Sequence, residues 1–245
     1  MRQGSSRRRV AIIAHRGASA VAPESTRAAI REAIRARADM IEVDVQMTRD
    51  GRLVVFHDDR LERTTTGAGR LTAKSAATLA RLDCGSWFHP RFADQRILSV
   101  AQLFRIVPPR IVLNLELKRS RNAGLLLRNI HSLIRRVGRS RSLLISSFEP
   151  RLLAGLRRTR LRRALICRRQ PTRVLEQAIR LRCWAWHPRQ DVVTPQHIAR
   201  AHAAGLRVHV WTVDHLRLAR RLIAWGVDGL FTNDPARLSH ALRRP

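Results

Sequence analysis

Short apolar segments alternate along this chain with longer segments whose apolar residues recur at helical spacing. Such alternation is typical of βα units built around a parallel sheet. Eight apolar segments fit the pattern: Val10–Ala14, Met40–Val45, Ile111–Lys118, Leu143–Ser147, Arg163–Cys167, Cys183–His187, Arg207–Thr212 and Gly229–Thr232. Eight parallel strands are the number that closes a (β/α)8 barrel, so this pattern constrains the fold more than any other feature.

A ninth apolar segment, Leu53–Phe56, does not belong to the parallel set. Only residues 48–51, which contain an Asp-Gly turn, separate it from the second strand. A parallel crossover needs a dozen or more residues, so we predict an antiparallel hairpin arm here. The predicted fold class is therefore α/β, a (β/α)8 TIM barrel with a small hairpin-led insertion, residues 46–96, between the second and third barrel strands.

The length of the chain suits one domain. It has 245 residues, with no visible internal repeat or interdomain linker, and α/β barrels often occupy about 250 residues. We predict a basic N-terminal tail, residues 1–9, followed by a single barrel domain, residues 10–240. The first helix is predicted over Thr26–Arg37 with Ser25 as its N-cap, because serine accepts hydrogen bonds from the first helical N–H groups.

Arginine dominates the charge of the chain. There are 48 basic and 18 acidic residues, a formal net charge of +30, and Lys74 and Lys118 are the only lysines. A positive field of this size attracts polyanions and would permit weak contact with an anionic membrane surface. No specific nucleic-acid partner is expected, because the densest basic stretch, residues 139–180, contains Phe148 as its only aromatic residue and so lacks a base-stacking ladder.

The cysteine pattern and the length of the apolar runs indicate the cellular compartment in which we expect the protein. Cys84, Cys167 and Cys183 form neither a metal knuckle nor a CxxC pair, which favours a reducing compartment. The longest apolar runs fall short of the roughly 18–20 residues of a membrane span. The apolar core of the N-terminal segment is also shorter than that of a signal peptide. We expect a cytoplasmic protein, and its oligomeric state stays open.

Two acidic residues share one face of the second predicted strand. Glu42 and Asp44 alternate with Ile41, Val43 and Val45, so both carboxylates point to the same side. Adjacent like charges repel unless a cation or strong donors hold them. Carboxylate oxygens are the ligands that Ca²⁺ and Mg²⁺ prefer, and a barrel strand has no solvent-facing side on which such a pair would be innocuous.

Further polar side chains fall at the carboxyl ends of strands, where the active sites of barrels lie. Glu116 and Lys118 close the third barrel strand, His15 and Arg16 follow the first, and His57 ends the hairpin arm. A lysine in an arginine-rich chain indicates a need for a compact ammonium, such as a point contact to a phosphate oxygen. The alternative is that Lys118 only pairs with Glu116 at the strand end.

Together these side chains indicate phosphoryl chemistry. A divalent cation with Arg16 and Lys118 would neutralise a phosphodiester. His15 and His57 would serve as general base and general acid, since imidazole titrates near neutrality. The sequence contains no GxSxG, GxGxxG or GxxxxGK[ST] motif, so neither a serine nucleophile nor a nucleotide cofactor is indicated.

In these residues the sequence resembles the glycerophosphodiester phosphodiesterase family. The matching segments are AHRGASAVAPEST, IEVDVQMTRDGRLVVFHDDRLERTT, DCGSWF, LNLELK, ISSFEP, VHVWTVD and VDGLFTNDP, which together reach from Ala14 to Pro235. The combined order of His-Arg-Gly, Glu-x-Asp, His-Asp and Glu-x-Lys is highly specific. The family has a (β/α)8 barrel with a small insertion after its second strand, in agreement with the strand count.

The resemblance implies a role for each matched position. It implies a catalytic histidine pair, three ligands for one divalent cation (Ca²⁺ or Mg²⁺), two phosphate contacts and an aromatic wall beside the alcohol of the substrate. The matched catalytic histidines are His15 and His57, and the matched cation ligands are Glu42, Asp44 and Glu116. The matched phosphate contacts are Arg16 and Lys118. The matched wall residue is Trp211, with Phe148 and Phe231 as weaker candidates.

The resemblance also implies the reaction, which is hydrolysis of a glycerophosphodiester to glycerol 3-phosphate and an alcohol. An alternative keeps the site but acts as a lysophospholipase D on lysophospholipids, with an apolar groove beside Trp211. The attacking group is either the glycerol 2-hydroxyl, through a cyclic phosphate, or water. The family usually has asparagine where this chain has Asp214, a difference that would alter bonding in that loop.

Overall fold

The structure, a computed structural model, describes residues 9–138 and 140–243. The predicted basic tail lies almost wholly outside these residues. The strands are β1 (Ala11–His15), β2 (Met40–Met47), β3 (Leu53–Val55), β4 (Val112–Leu117), β5 (Leu143–Ser147), β6 (Arg162–Cys167), β7 (Ala185–Pro188), β8 (Arg207–Val210) and β9 (Gly229–Thr232). The α-helices are α1 (Arg27–Arg35), α2 (Ala76–Leu79), α3 (Val100–Ile106), α4 (Ala123–Val137), α5 (Pro150–Gly155), α6 (Pro171–Arg180), α7 (Pro195–Ala203), α8 (Leu216–Ala224) and α9 (Pro235–Arg243). No helix in the described ranges is long and apolar enough to cross a membrane.

Eight of these strands form a closed parallel barrel, which confirms the predicted (β/α)8 fold. The order is β1-β2-β4-β5-β6-β7-β8-β9, and β9 pairs with β1 to close the barrel. Each barrel strand lies within two residues of its predicted bounds. The side chains under the helices, such as Val43, Leu115 and Ile145, are fully buried, as parallel strands covered on both faces require.

Side chains that point into the barrel change from apolar to polar along the strands. An apolar cluster of Ile13, Met40, Leu144, Ala164, Ala185 and Phe231 fills the interior. Two residues further along their strands, the inward positions are Glu42 on β2, Ser146 on β5 and His187 on β7, all buried. Because inward positions recur every second residue, this polar layer lies directly above the apolar one. The apolar cluster thus forms a floor, and the cavity above it opens at the carboxyl ends of the strands.

The edge of β2 that faces β1 is shared by two strands in succession. β1 pairs in parallel with Met40–Glu42, and β3 pairs antiparallel with Val45–Met47, as predicted for the hairpin, while β4 takes the opposite edge. The chain leaving β3 therefore runs back toward the end of β1. Its first step is fixed by the Phe56 N–H, which donates to the Asp44 carbonyl at 3.0 Å.

The insertion has a small core of its own. Buried side chains that pack together apart from the main core are Val54, Phe56, Leu61, Leu71, Leu79, Cys84 and Ile97. Gln46, buried on β2, ties this unit to the barrel mouth. Its Nε2 lies 3.1, 3.2 and 2.7 Å from the carbonyl oxygens of residues 56, 57 and 58. The loop that carries His57 is thereby held against the barrel.

The first helix begins one residue later than predicted. Thr26 is the N-cap of α1, and its Oγ1 accepts a hydrogen bond from the Ala29 N–H at 3.3 Å. Ser25 instead has a φ of 63°, and its N–H donates to the Arg16 carbonyl at 2.9 Å. The Ser25 N-cap prediction is wrong because the loop after β1 folds back on itself, a contact that the local sequence does not reveal.

Gly17 lets this loop pass close to α1. Its φ is +80°, and a Cβ at this position would lie 2.7 Å from the carbonyl carbon of Ala29. Gly205, which follows α7, has a similar φ of +78°, but apart from its chain neighbours no described residue has an atom within 4 Å of the position its Cβ would take. A side chain at either position would strain the backbone, but at position 17 it would also overlap α1. Comparing the two positions therefore distinguishes backbone strain from steric overlap.

We expect Gly17→Ala to destabilise the protein clearly more than Gly205→Ala. A left-handed backbone costs an L-residue about 1–2 kcal/mol, and this strain is the whole cost at position 205. At position 17 the same strain is joined by overlap with the α1 backbone, which cannot move without repacking the helix. Denaturant unfolding of both variants measures the two losses. Equal losses would contradict the close approach at Gly17.

Candidate active site

A cavity of about 610 Å³ opens at the carboxyl ends of the barrel strands. Every residue predicted to form the site lines it except Asp44, which is buried behind the wall. The predicted residues in the wall are His15, Arg16, Glu42, His57, Glu116, Lys118 and Trp211, joined by Phe148 and Phe231. Other lining residues were not predicted: Asp58, Asp59, Arg60, Asn114, Ser146, Ile166, Arg168 and His187.

Three carboxylates meet at the base of this cavity. Glu42 and Asp44 lie on the same face of β2, and the β2–β4 register places Glu116 beside Asp44. One oxygen from each carboxylate lies within 4.8 Å of the other two. Glu42 and Asp44 are only 2% and 1% exposed, so water screens their repulsion weakly.

This repulsion appears in the proton affinities. Burial and the charges of Asp44 and Glu116 raise the pKa of Glu42 well above its ordinary value. Burial and Asp44 raise the pKa of Glu116 to about 7. Burial also acts on Asp44, but Lys118 and Arg16 outweigh it and lower the pKa of that carboxyl. A bound cation would therefore compete with protons at Glu42 and Glu116.

Two basic side chains partly offset the carboxylates. Lys118 Nζ lies 2.9 Å from Glu116 Oε1 and 3.1 Å from Asp44 Oδ1. Arg16 Nε lies 3.3 Å from Asp44 Oδ2, and the Arg16 N–H donates to Glu42 Oε2 at 3.0 Å. The pairing of Lys118 with Glu116 is therefore present, and Lys118 still faces the cavity. Three carboxylates against two basic groups leave one negative charge, and their oxygens are a donor set that fits Mg²⁺ or Ca²⁺.

The two histidines are anchored through the same ring nitrogen. His15 ends β1 and is paired in register with Glu42, while His57 follows β3. His15 Nδ1 lies 2.7 Å from Asn233 Oδ1, and His57 Nδ1 lies 2.5 Å from Asp58 Oδ1. With Nδ1 engaged on each ring, Nε2 is the nitrogen that remains for a ligand in the cavity.

Both rings favour the neutral form. Burial, followed by the Arg16 charge, lowers the pKa of His15 to about 4. Burial is also the main cause that lowers the pKa of His57, opposed in part by Asp44. A neutral imidazole that donates from Nδ1 has a free lone pair at Nε2, so it can accept a proton from a bound hydroxyl or water.

Sequence reasoning missed a network of charged residues behind the site. Glu24 lies 3.0 Å from Arg16 Nη1 and 2.7 Å from Arg63 Nη2. Arg63 Nε also donates to Asp58 at 2.5 Å, and Asp58 in turn holds His57. The network links the loop after β1 to the insertion. Asp58 could have been found as the direct neighbour of His57, but the sequence carries no local signal for the contact between Glu24 and Arg63.

Aromatic side chains line the cavity beside the charged cluster. Trp211 Nε1 donates to the His187 carbonyl at 2.8 Å. Phe148, which is 41% exposed, meets the Trp211 ring edge-on with the ring centroids 5.8 Å apart. Phe231 is buried and packs on the His187 ring at 5.1 Å. The predicted wall residue and both weaker candidates therefore give the cavity an apolar side.

Known proteins share this sequence pattern over most of the chain. The sequence profile of the glycerophosphoryl diester phosphodiesterase family matches residues 15–237. A glycerophosphodiester phosphodiesterase of Caldanaerobacter subterraneus subsp. tengcongensis is 31% identical over 241 residues, which are 95% of this chain and 98% of that protein. A putative glycerophosphodiester phosphodiesterase of Bacillus subtilis is 34% identical over 236 residues, covering 91% and 94% of the two chains.

Solved structures share the fold as well. A phosphodiesterase of Oleispira antarctica, solved in complex with the product sn-glycerol-3-phosphate, has a TM-score of 0.89 and 29% identity, covering 95% of this chain and 96% of that one. A putative glycerophosphoryl diester phosphodiesterase from Silicibacter pomeroyi has a TM-score of 0.84 and 26% identity, covering 95% and 92%.

We expect Mg²⁺ or Ca²⁺ to stabilise the protein more at pH 8 than at pH 6. The pKa of Glu116, raised to about 7, means that its carboxyl destabilises the metal-free fold as the pH rises through 7, where a cation relieves the repulsion. Below pH 7 the cation must first displace a proton. The measurement is the melting-temperature shift on adding the cation at each pH. Glu116→Gln should reduce the difference, since Glu42 then remains as the carboxyl with a raised pKa. Equal shifts in the unsubstituted protein would contradict the prediction.

Proposed function

The chain belongs to the glycerophosphoryl diester phosphodiesterase family and has the glycerophosphodiester phosphodiesterase activity of that family, and we propose that two histidines and one divalent cation perform this chemistry. The observation that carries the proposal is that three carboxylates, two basic side chains and two imidazoles meet at one cavity, with Asp44 directly behind its wall. The proposed products are glycerol 3-phosphate and an alcohol. The proposed catalytic domain spans residues 10–240, and the insertion contributes His57 to it.

Charge balance supports a phosphodiester as the ligand. Glu42, Asp44 and Glu116 would hold the cation, which when bound supplies a Lewis acid that withdraws charge from a phosphoryl oxygen. With all three carboxylates ionised, a divalent cation beside Arg16 and Lys118 would turn the net charge of this cluster from −1 to +1. A phosphodiester carries one negative charge, so the two would neutralise each other. The sn-glycerol-3-phosphate held by the Oleispira phosphodiesterase supports a ligand of the same kind here.

The histidines would move protons in opposite directions. One neutral ring removes the proton from the attacking hydroxyl at its Nε2, and the other ring, which binds substrate in its protonated form, donates the proton on its Nε2 to the departing alcohol oxygen. If the glycerol 2-hydroxyl attacks, a cyclic phosphate forms, and water opens it with the two roles exchanged. If water attacks directly, the same transfers occur in one step. The cyclic route returns both rings to their starting state, because its second step reverses both transfers. The direct route leaves the proton on the base, and exchange with bulk water must restore both rings before the next turnover.

The aromatic side of the cavity suits the departing alcohol. Trp211 and Phe148 offer apolar faces beside the charged cluster, and Phe148 reaches the rim. Arg16 and Lys118 lie with the carboxylates and would keep the phosphate at the base. A substrate so placed has its phosphorus near both imidazoles and its alcohol toward the opening.

We expect the purified protein to release glycerol 3-phosphate from glycerophosphodiesters, and a chelator to abolish the release. Mg²⁺ and Ca²⁺ are then added back separately, because both fit the carboxylate oxygens. Glycerol 3-phosphate is measured with a coupled enzyme, and a lysophospholipid is assayed in parallel by release of its alcohol. Full activity after chelation and metal-free dialysis would reject the cation. Activity on the lysophospholipid alone would replace the proposed substrate.

We expect His15→Ala and His57→Ala each to lower kcat by about 100-fold or more, the usual contribution of a positioned acid or base. Both side chains line the cavity, so the variants should fold. His240→Ala, which removes an exposed histidine on α9, is the matched control and should keep wild-type kinetics. Circular dichroism checks folding, and a His15 or His57 variant with normal turnover would lose its assigned role.

A further inference from the structure

A chain of hydrogen bonds leads away from His15 on the side opposite the carboxylates. Asn233 Oδ1 lies 2.7 Å from His15 Nδ1, and Asn233 Nδ2 donates to Asp214 Oδ2 at 2.7 Å. We propose that Asp214 and Asn233 are positioning residues that set the tautomer of His15 and so make its Nε2 the proton acceptor in the reaction. The inference rests on the proposed function, within which it assigns the base.

The carboxylate of Asp214 fixes which way the Asn233 amide points. Asp214 Oδ1 accepts hydrogen bonds from the Asn233 backbone N–H at 2.8 Å and from Thr232 Oγ1 at 2.9 Å. An ionised carboxylate has no proton to give, so the group facing its other oxygen must be a donor. The NH₂ of Asn233 therefore faces Asp214, and its oxygen faces His15.

The amide oxygen in turn fixes the proton on His15. An amide oxygen only accepts hydrogen bonds, so His15 Nδ1 must carry hydrogen and the lone pair of the neutral ring lies on Nε2. Ser19 agrees with this orientation. Its Oγ lies 2.9 Å from both Asn233 Oδ1 and the His15 carbonyl oxygen. Both neighbours are acceptors, so the single hydroxyl proton can go to either without disturbing the chain.

The barrel holds the chain of hydrogen bonds in place. Asn233 directly follows β9, and the β1–β9 register pairs Thr232 with Ala14, the residue before His15. The Ala20 N–H donates to the Asn233 carbonyl at 2.9 Å, which ties the same residue to the loop after β1. Because β1 lies between β2 and β9, His15 has the carboxylates on one side and this chain on the other.

His57 has an anchor of a different kind. Its Nδ1 meets the Asp58 carboxylate directly, and Asp58 is also bonded to Arg63. At His15 a neutral amide stands between the ring and the carboxylate. Both anchors select the Nδ1–H tautomer. At His57 the carboxylate selects this tautomer without further help. At His15 the amide selects it only while Asp214 prevents the amide from turning. The Asp58 carboxylate would also stabilise a protonated ring, which the neutral amide at His15 does not, so the acceptor role falls to His15 and the donor role to His57.

Asp214→Asn tests the assignment. The new NH₂ would face Asn233, which would turn its oxygen toward residue 214 and its own NH₂ toward His15. The proton would then move to Nε2 and remove the base. We expect kcat to fall about 10-fold or more, as for a catalytic histidine in the wrong tautomer, with KM changed less than about threefold. The Thr232 and Asn233 backbone contacts keep an acceptor, so the loop should stay folded.

The exchanged variant Asp214→Asn/Asn233→Asp tests the same logic by rescue. A carboxylate at 233 can only accept from His15 Nδ1, and an amide at 214 can donate to that carboxylate, so the Nδ1–H tautomer returns. We expect kcat to recover several-fold above that of Asp214→Asn. Asn233→Asp alone places two carboxylates together and should be impaired. Asp234→Asn is the matched control, since the side-chain carboxylate of Asp234 bonds only the Arg237 N–H among the described residues.

A spectroscopic readout separates this inference from the proposed function. In ¹⁵N-histidine-labelled protein, His15 should appear as the Nδ1–H tautomer in the wild type and as the Nε2–H tautomer in Asp214→Asn. Wild-type kcat with an unchanged tautomer in Asp214→Asn, or no gain in the exchanged variant, would overturn the inference. If the wild type released no glycerol 3-phosphate, the proposed function would fail while the tautomer measurement still decided the role of Asp214.

Discussion

Repulsion among three carboxylates, two of them buried, governs the arrangement of the barrel mouth. Glu42, Asp44 and Glu116 bring oxygens within 4.8 Å of one another in a region with little water. An uncompensated buried charge costs several kcal/mol, so neighbouring elements must supply positive groups. Arg16 comes from the turn after β1 and Lys118 from the end of β4. These two positive groups offset only part of the repulsion among the carboxylates, and a bound divalent cation would offset the remainder.

Strand β2 carries the site because each of its edges brings a partner. One edge receives β4 with Glu116, and the other receives first β1 with His15 and then β3, after which the chain reaches His57. The hydrogen-bond register of three strand pairs thus sets the spacing of carboxylates and imidazoles. A one-residue slip in any of these pairs would turn the polar residues away from the cavity.

Strand positions were readable from the sequence because parallel strands buried on both faces are continuous apolar runs. The hairpin was readable too, since four residues cannot make a parallel crossover, and this reasoning brought His57 to the mouth. The anchor of His15 was not readable. Asn233 is 218 positions away, and their contact exists only because β9 closes the barrel against β1. The bridge between Glu24 and Arg63 likewise depends on how the insertion docks.

The N-cap of α1 illustrates the same limit at short range. Ser25 and Thr26 are both good capping residues, and composition does not choose between them. The choice is made by the turn at Arg16 and Gly17, both with positive φ, which draws the Ser25 N–H back to the Arg16 carbonyl. The turn that orients Arg16 toward Asp44 thus also decides where the helix begins.

The separate core of the insertion divides the proposed catalytic pair between two packing units. His15 belongs to the barrel, whose main core extends under the helices all round. The position of His57 depends on the seven buried side chains of the insertion core and on the hydrogen bonds of Gln46. Small units of this kind open locally at lower free energy than the whole domain. A fluctuation that loosened the insertion would displace His57 and inactivate the enzyme while the barrel stayed closed. The thermal tolerance of the catalyst is therefore set by the core of the insertion.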